Sequence, residues 1–157
     1  MATASLFPST VDRVPANTAC EYNERIRQQT EERVARIARQ GRAAINQRLA
    51  ELDEEWDIER RLEANFSTVV LISSVLGLTV DRRFFLLPVA AGGFLLLHAL
   101  QGWCPPVPLF RAYGVRTQSE IEEERYALKA LRGDFALASG SHPGNRSPHE
   151  ALAAVRR

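Results

Sequence analysis

Cysteine is nearly missing from this chain: Cys20 and Cys104 are the two in 157 residues, far apart and in unlike surroundings. That excludes a disulfide framework, and both thiols are expected to sit in a reducing compartment. Glycine-rich phosphate loops, a Ser-His-Asp constellation and paired-Cys motifs are absent as well. No catalytic residue, cofactor or metal is therefore expected, and the chain reads as a non-enzymatic protein. Charge of one sign is lacking too, with 20 Lys and Arg against 19 Asp and Glu, so there is no strongly basic face for a nucleic acid. The N-terminus, MATASLFPSTVDRVP, has no basic start followed by an apolar core, so no cleavable signal peptide is expected. The chain carries no internal repeat.

The most telling absence is local. From Phe84 to Trp103, FFLLPVAAGGFLLLHALQGW, there is no formally charged residue over about the length that a helix needs to cross a bilayer. Its Phe, Leu and Val residues together favour insertion by about 3 to 6 kcal/mol, and one central Arg would cancel most of that. The segment GWCPP then ends the helix, since two prolines cannot continue it and Trp103 favours the headgroup level. A second apolar run, Phe66 to Val80, precedes it across only Asp81, Arg82 and Arg83. At 1.5 Å per residue this run is short for a core of about 30 Å, so Leu62 and Ala64 extend it. So brief a link forces the two helices antiparallel. The expected fold is all-α: a transmembrane helical hairpin with a long N-terminal amphipathic cytoplasmic helix and a short C-terminal helix. Arg48, Arg60, Arg61, Arg111 and Arg116 outnumber Arg82 and Arg83 of the link, which places both termini in the cytoplasm.

Around this pair the chain divides by composition. Residues 1–16 hold prolines, Ser and Thr without an apolar period and read as disordered. Residues 17–64 read as a charged helical region, with Val34, Ala38, Gly41, Ile45, Leu49, Leu52 and Trp56 on one stripe. Gly41 is costly in a helix interior and marks a kink or a close contact. The stripe fits a coiled-coil partner, including a second copy, or a helix lying on the membrane surface, or a solvated helix; its basic first half and acidic second half favour a partner helix. Residues 65–104 hold the two spans, 66–80 and 84–103. Residues 105–137 read as an interfacial segment followed by a helix from Thr117 to Arg132, with Thr117 and Glu120 as a capping box and Gly133 at its end. Residues 138–157 read as a disordered tail, in which His142 and His149 have no ligand spacing.

Inside the spans a few residues stand out. Ser73, Gly77, Gly92 and Gly93 are small enough to let helix backbones approach, as the seam of the pair or as a dimer face. His98 and Gln101 are strongly polar side chains within the second span; His98 suits a hydrogen bond to a facing Ser, a proton path or a metal ligand, in that order. Cys104, at the water-facing end, suits packing at the helix terminus or, second, sulfur and thiol chemistry, which needs a nearby base or positive charge that the sequence does not show. A soluble bundle that buries both apolar helices is the third reading of the chain.

The run GGFLLLHALQGWCPP followed by LFRAYGVRT resembles the YgaP-like inner-membrane transmembrane domain, a small two-span bacterial family. Gly102, Trp103, Cys104 and Pro105 carry its Gly-aromatic-Cys-Pro signature, and Phe110, Arg111 and Gly114 match the stretch that follows. The resemblance covers about residues 60–115. It implies a domain of the bacterial inner membrane and, because such domains occur beside rhodanese domains, a sulfurtransferase as a partner. No rhodanese pattern appears in this chain. The expected partners are thus the bilayer, a second copy through the helices, and that sulfurtransferase.

Overall fold

The computed structural model describes residues 8–135, which are helical throughout their regular structure and contain no strand. The expected tail at 138–157 and the first residues of the expected disordered N-terminus lie outside them. The helices are α1 (Arg13–Ala16), α2 (Cys20–Gln40), α3 (Arg42–Glu54), α4 (Ile58–Thr79), α5 (Leu86–Gln101), α6 (Pro106–Ala112) and α7 (Gln118–Arg132), with a 3₁₀ turn at Arg82–Phe85 between α4 and α5. The described residues fall into two compact units, one drawn from residues 8–27 and 56–119, the other from residues 28–55 and 120–135.

In the first unit α4 and α5 pack against each other across the 3₁₀ turn. Their ends follow from local chemistry. Asp57 opens α4, its Oδ1 accepting the Arg60 N–H at 2.7 Å, and Asp81 opens the turn by accepting from the Arg83 N–H at 2.7 Å. Helix α4 therefore starts eight residues before the apolar run at Phe66, and its first two turns are amphipathic, with Glu59, Arg60, Arg61 and Glu63 beside the buried Ile58 and Leu62. Ser73 and Gly77 are buried on α4, and a Cβ on Gly77 would sit 2.9 Å from the Phe85 ring, so the ring occupies the space a side chain would take. Gly92 and Gly93 are exposed and face open space. The core below the pair joins Val14, Ile58, Leu62, Cys104 and Val107, with Phe66, Phe110 and Val115 packed on it. Residues 13–16 thus form a short helix with Val14 buried, where sequence alone suggested no structure; a single apolar anchor fixes it rather than a periodic stripe.

The second unit has its own core of Ile37, Ile45, Leu49, Leu52, Ile121 and Leu128, with Val34 and Ala44 against it. The striped stretch is divided at Gly41, whose φ of 88° lies in the left-handed region and ends α2 before α3 begins. Glu124 of α7 is fully buried in this unit between Arg33 (Nη1–Oε2 2.8 Å) and Arg48 (Nε–Oε1 2.8 Å). Arg125 adds a hydrogen bond to the Leu52 carbonyl at 3.0 Å and an ion pair with Asp53.

Candidate functional site

The polar cluster of the first unit is built at the end of α5, and Gly102 makes it possible. With φ of 81° it takes a left-handed conformation, and its N–H donates to the His98 carbonyl at 2.7 Å. The chain turns back there, so that Cys104 returns beside His98, one of whose electrostatic neighbours it is. A Cβ on residue 102 would collide with the Arg13 backbone carbonyl, which shows how closely α1 covers the turn.

That close approach brings donors to a helix end that lacks them. The last carbonyls of a helix have no partner within it. Arg13 Nη1 donates to the Ala99 carbonyl at 3.1 Å, and Asn17 Nδ2 donates to the Gln101 carbonyl at 2.7 Å. The other arm of Arg13, Nη2, donates to Glu59 Oε1 at 2.8 Å. Glu59 stands in the first turn of α4, and its Oε2 lies 2.8 Å from His98 Nε2.

Four residues therefore form a line: Arg13, Glu59, His98 and Cys104. His98 and Cys104 are buried, at 2% and 0% exposure, whereas about a third of the Glu59 side chain meets solvent. Burial pushes the Glu59 carboxyl up, but the hydrogen bonds from His98 and Arg13 outweigh it and hold the group below its ordinary 4.5. An ionised carboxylate can only accept, so His98 Nε2 carries a hydrogen. Its Nδ1 is buried and has no hydrogen-bond partner among the described residues, and the Cys104 thiol is one of the ring's electrostatic neighbours. A thiol, an imidazole and a carboxylate in one cluster are the parts of an activated nucleophile: the unpartnered imidazole nitrogen has a lone pair that can take a thiol proton, and the carboxylate fixes the ring.

The other residues expected from sequence are dispersed. Trp103 is partly exposed, and Pro105 precedes α6 directly. Arg111 is wholly buried, with Nη2 donating to Asn23 Oδ1 at 2.7 Å and Nη1 to the Val115 carbonyl at 3.1 Å. Gln101 is exposed and enters the cluster through its backbone carbonyl only. His98 meets a carboxylate instead of a facing serine, because α4 begins at Ile58 and so sets Glu59 in its first turn against the ring; Ser73 Oγ donates within its own helix, to the Val69 carbonyl at 2.5 Å. Gly92 lines a groove of about 500 Å³ between α4 and α5, together with Phe66, Val70, Ser74, Ala91 and Leu95.

Sequence reasoning missed Arg13, Asn17 and Glu59. For Glu59 a signal existed: Asp57 followed by Glu59 is an N-cap with an acidic first turn, which starts the helix at residue 58. For Arg13 and Asn17 there was none, since single contacts to a distant helix end leave no period. Among the described residues no group of three His, Cys, Asp or Glu is arranged to hold a metal ion. No family model, curated protein or solved structure matches this chain.

Proposed function

We propose that this chain is a non-enzymatic membrane module, with α4 and α5 as an antiparallel hairpin in a bacterial inner membrane, both termini in the cytoplasm, and the charged helices free to bind a partner or a second copy. The observation that carries the reading is the direction in which the apolar residues point. Two helical stretches, ending at Thr79 and Gln101, are long and apolar enough to cross a membrane, and only 22% and 11% of their most apolar parts are buried. Leu71, Leu78, Leu86 and Val89 are 68 to 79% exposed. A core helix of a soluble bundle would turn such residues inward, and a soluble monomer rarely leaves so large an oily surface in water. The likeness to YgaP-like domains, carried by Gly102 to Pro105, supports the same placement.

Carbonate extraction of membranes from cells that make the full chain tests the reading. The protein should remain in the pellet, and its release into the wash would overturn the proposal. A sharper version uses Leu71→Arg. In lipid this change costs about 2.5 to 3.5 kcal/mol of insertion free energy, so the pelleted fraction should drop; on a solvated surface it would be nearly silent. Oligomerisation through the helices is checked by cross-linking in mild detergent, where a strictly monomeric chain counts against it.

A second reading has an observation of its own. The unpartnered Nδ1 of His98 beside Cys104 favours thiol handling at the inner rim of the hairpin, with sulfur transfer from a sulfurtransferase as its first form. Cells carrying Cys104→Ser should then lose sulfur transfer or export, and unchanged behaviour would remove that form.

A further inference from the structure

Two features of the first unit meet at one side chain. The buried cluster around Cys104 includes Phe66 as one of its packed neighbours, and Phe66 is also the first residue of the groove between α4 and α5. The groove is lined mainly by aliphatic and small groups, and from Phe66 to Ser74 it follows about 12 Å of helix. Gly92 has nothing within 4 Å of where its Cβ would be, so the groove is open on the α5 side. An apolar, elongated groove that shares Phe66 with the cluster holding a thiol suits one class of ligand, an alkyl chain with an electrophilic carbonyl at its head.

We infer that Cys104 is an acyl-acceptor site, which takes a long-chain acyl group from an acyl thioester with His98 as general base and the groove holding the chain. The inference rests on the reading of Cys104 as a working thiol and names its substrate class. In the step, Cys104 Sγ attacks the thioester carbonyl carbon while its proton passes to His98 Nδ1. The new S–C bond forms, the donor's C–S bond breaks, and the departing thiolate takes the proton back from the imidazole. No oxidant or reductant is involved. Glu59, fixed by Arg13, is a positioning residue: it keeps the hydrogen on Nε2 and so leaves Nδ1 free to accept a proton. Phe66, only half-buried, belongs both to the groove and to the packing around the thiol's cluster, and in the proposed step its ring turns aside to admit the acyl head. A cysteine at the end of a membrane helix is well placed for such a modification, since membrane-dissolved acyl donors collect at that depth.

The test uses the full chain with Cys20→Ser, purified in detergent micelles and incubated at neutral pH with alkyne-tagged palmitoyl coenzyme A. The expected result is a label on Cys104 that neutral hydroxylamine removes, that Cys104→Ser abolishes, and that His98→Asn lowers about ten-fold or more. Gly92→Leu, which has open space at its Cβ and adds bulk to the groove lining, should depress palmitoyl labelling and leave labelling by acetyl coenzyme A unchanged. Absence of a hydroxylamine-sensitive label on Cys104, equal labelling in His98→Asn, or equal effects of Gly92→Leu on both donors would each overturn the inference. Should His98→Asn fail to fold by circular dichroism, the parent label and the Gly92→Leu comparison still decide. Alkylation by N-ethylmaleimide separates the two levels: a His98-dependent reaction at Cys104 without acylation sinks the acyl assignment and spares the thiol reading, whereas inertness to both reagents sinks both.

Discussion

Glu124 and Glu59 are two carboxylates drawn into the interior of two different units, and they are neutralised differently. Glu124 has no exposed surface and lies between two guanidinium groups, Arg33 and Arg48, each at 2.8 Å. Guanidinium groups do not give up their protons near neutral pH, so this arrangement holds charge in place and does nothing else. Glu59 keeps a third of its surface in water and shares itself between one guanidinium, Arg13, and one imidazole, His98. An imidazole can pass a proton on, and the far nitrogen of this one is unpartnered. A carboxylate held by cations thus serves as a buried rivet in the second unit and as the half-buried, fixed end of a relay in the first.

The largest test of that contrast is Glu124→Ala. Removing one member of a buried ion pair leaves two guanidinium groups partly desolvated, and chemical denaturation should show a loss of about 3 to 5 kcal/mol. A loss under about 1 kcal/mol would mean that Arg33 and Arg48 simply return to water, and the two sites would differ less than argued. Next comes Gly102→Ala, expected to cost about 2 kcal/mol or more through its left-handed φ and the collision with the Arg13 carbonyl. Its signature is weakened protection of the 98–104 turn and of α1 in hydrogen exchange, with α7 unaffected.

Acid sharpens the comparison further. The Glu59 carboxyl is held below 4.5, so the stability it adds is fully present above about pH 4.5 and is lost as pH falls through its lower folded value. A stability-against-pH series should show that loss in the parent chain and a smaller acid slope in Glu59→Gln. Smallest of all is Glu24→Ala: this exposed partner of Arg27, one turn away on α2, should change stability by less than about 0.5 kcal/mol.

Sequence made the helices legible wherever an apolar period or its absence ran over many residues. The uncharged run at 84–103, the stripe through Ile45, Leu49 and Leu52, and the capped helix ending near Gly133 each repeat a signal several times, and Gly41 marked its own break. His98 and Cys104 were conspicuous as polar groups in apolar company. Their adjacency was not, because it depends on the reversal at Gly102, and the identity of the His98 partner depends on where α4 begins. Glu59 looked like one more charge in an acidic stretch, and Arg13 stood in a segment with no pattern at all. What single-residue contacts across 39 or 86 positions of sequence decide, periodicity cannot report.

The bonds from Arg13 and Asn17 to the carbonyls of Ala99 and Gln101 have a consequence for how the molecule is made. A ribosome delivers residues 13 and 17 before residue 101 exists, so these side chains reach their carbonyl partners only once both oily helices have emerged. The thiol's surroundings accordingly close only after α5 is complete, and a bulky tag fused close to residue 13 would interfere with that step.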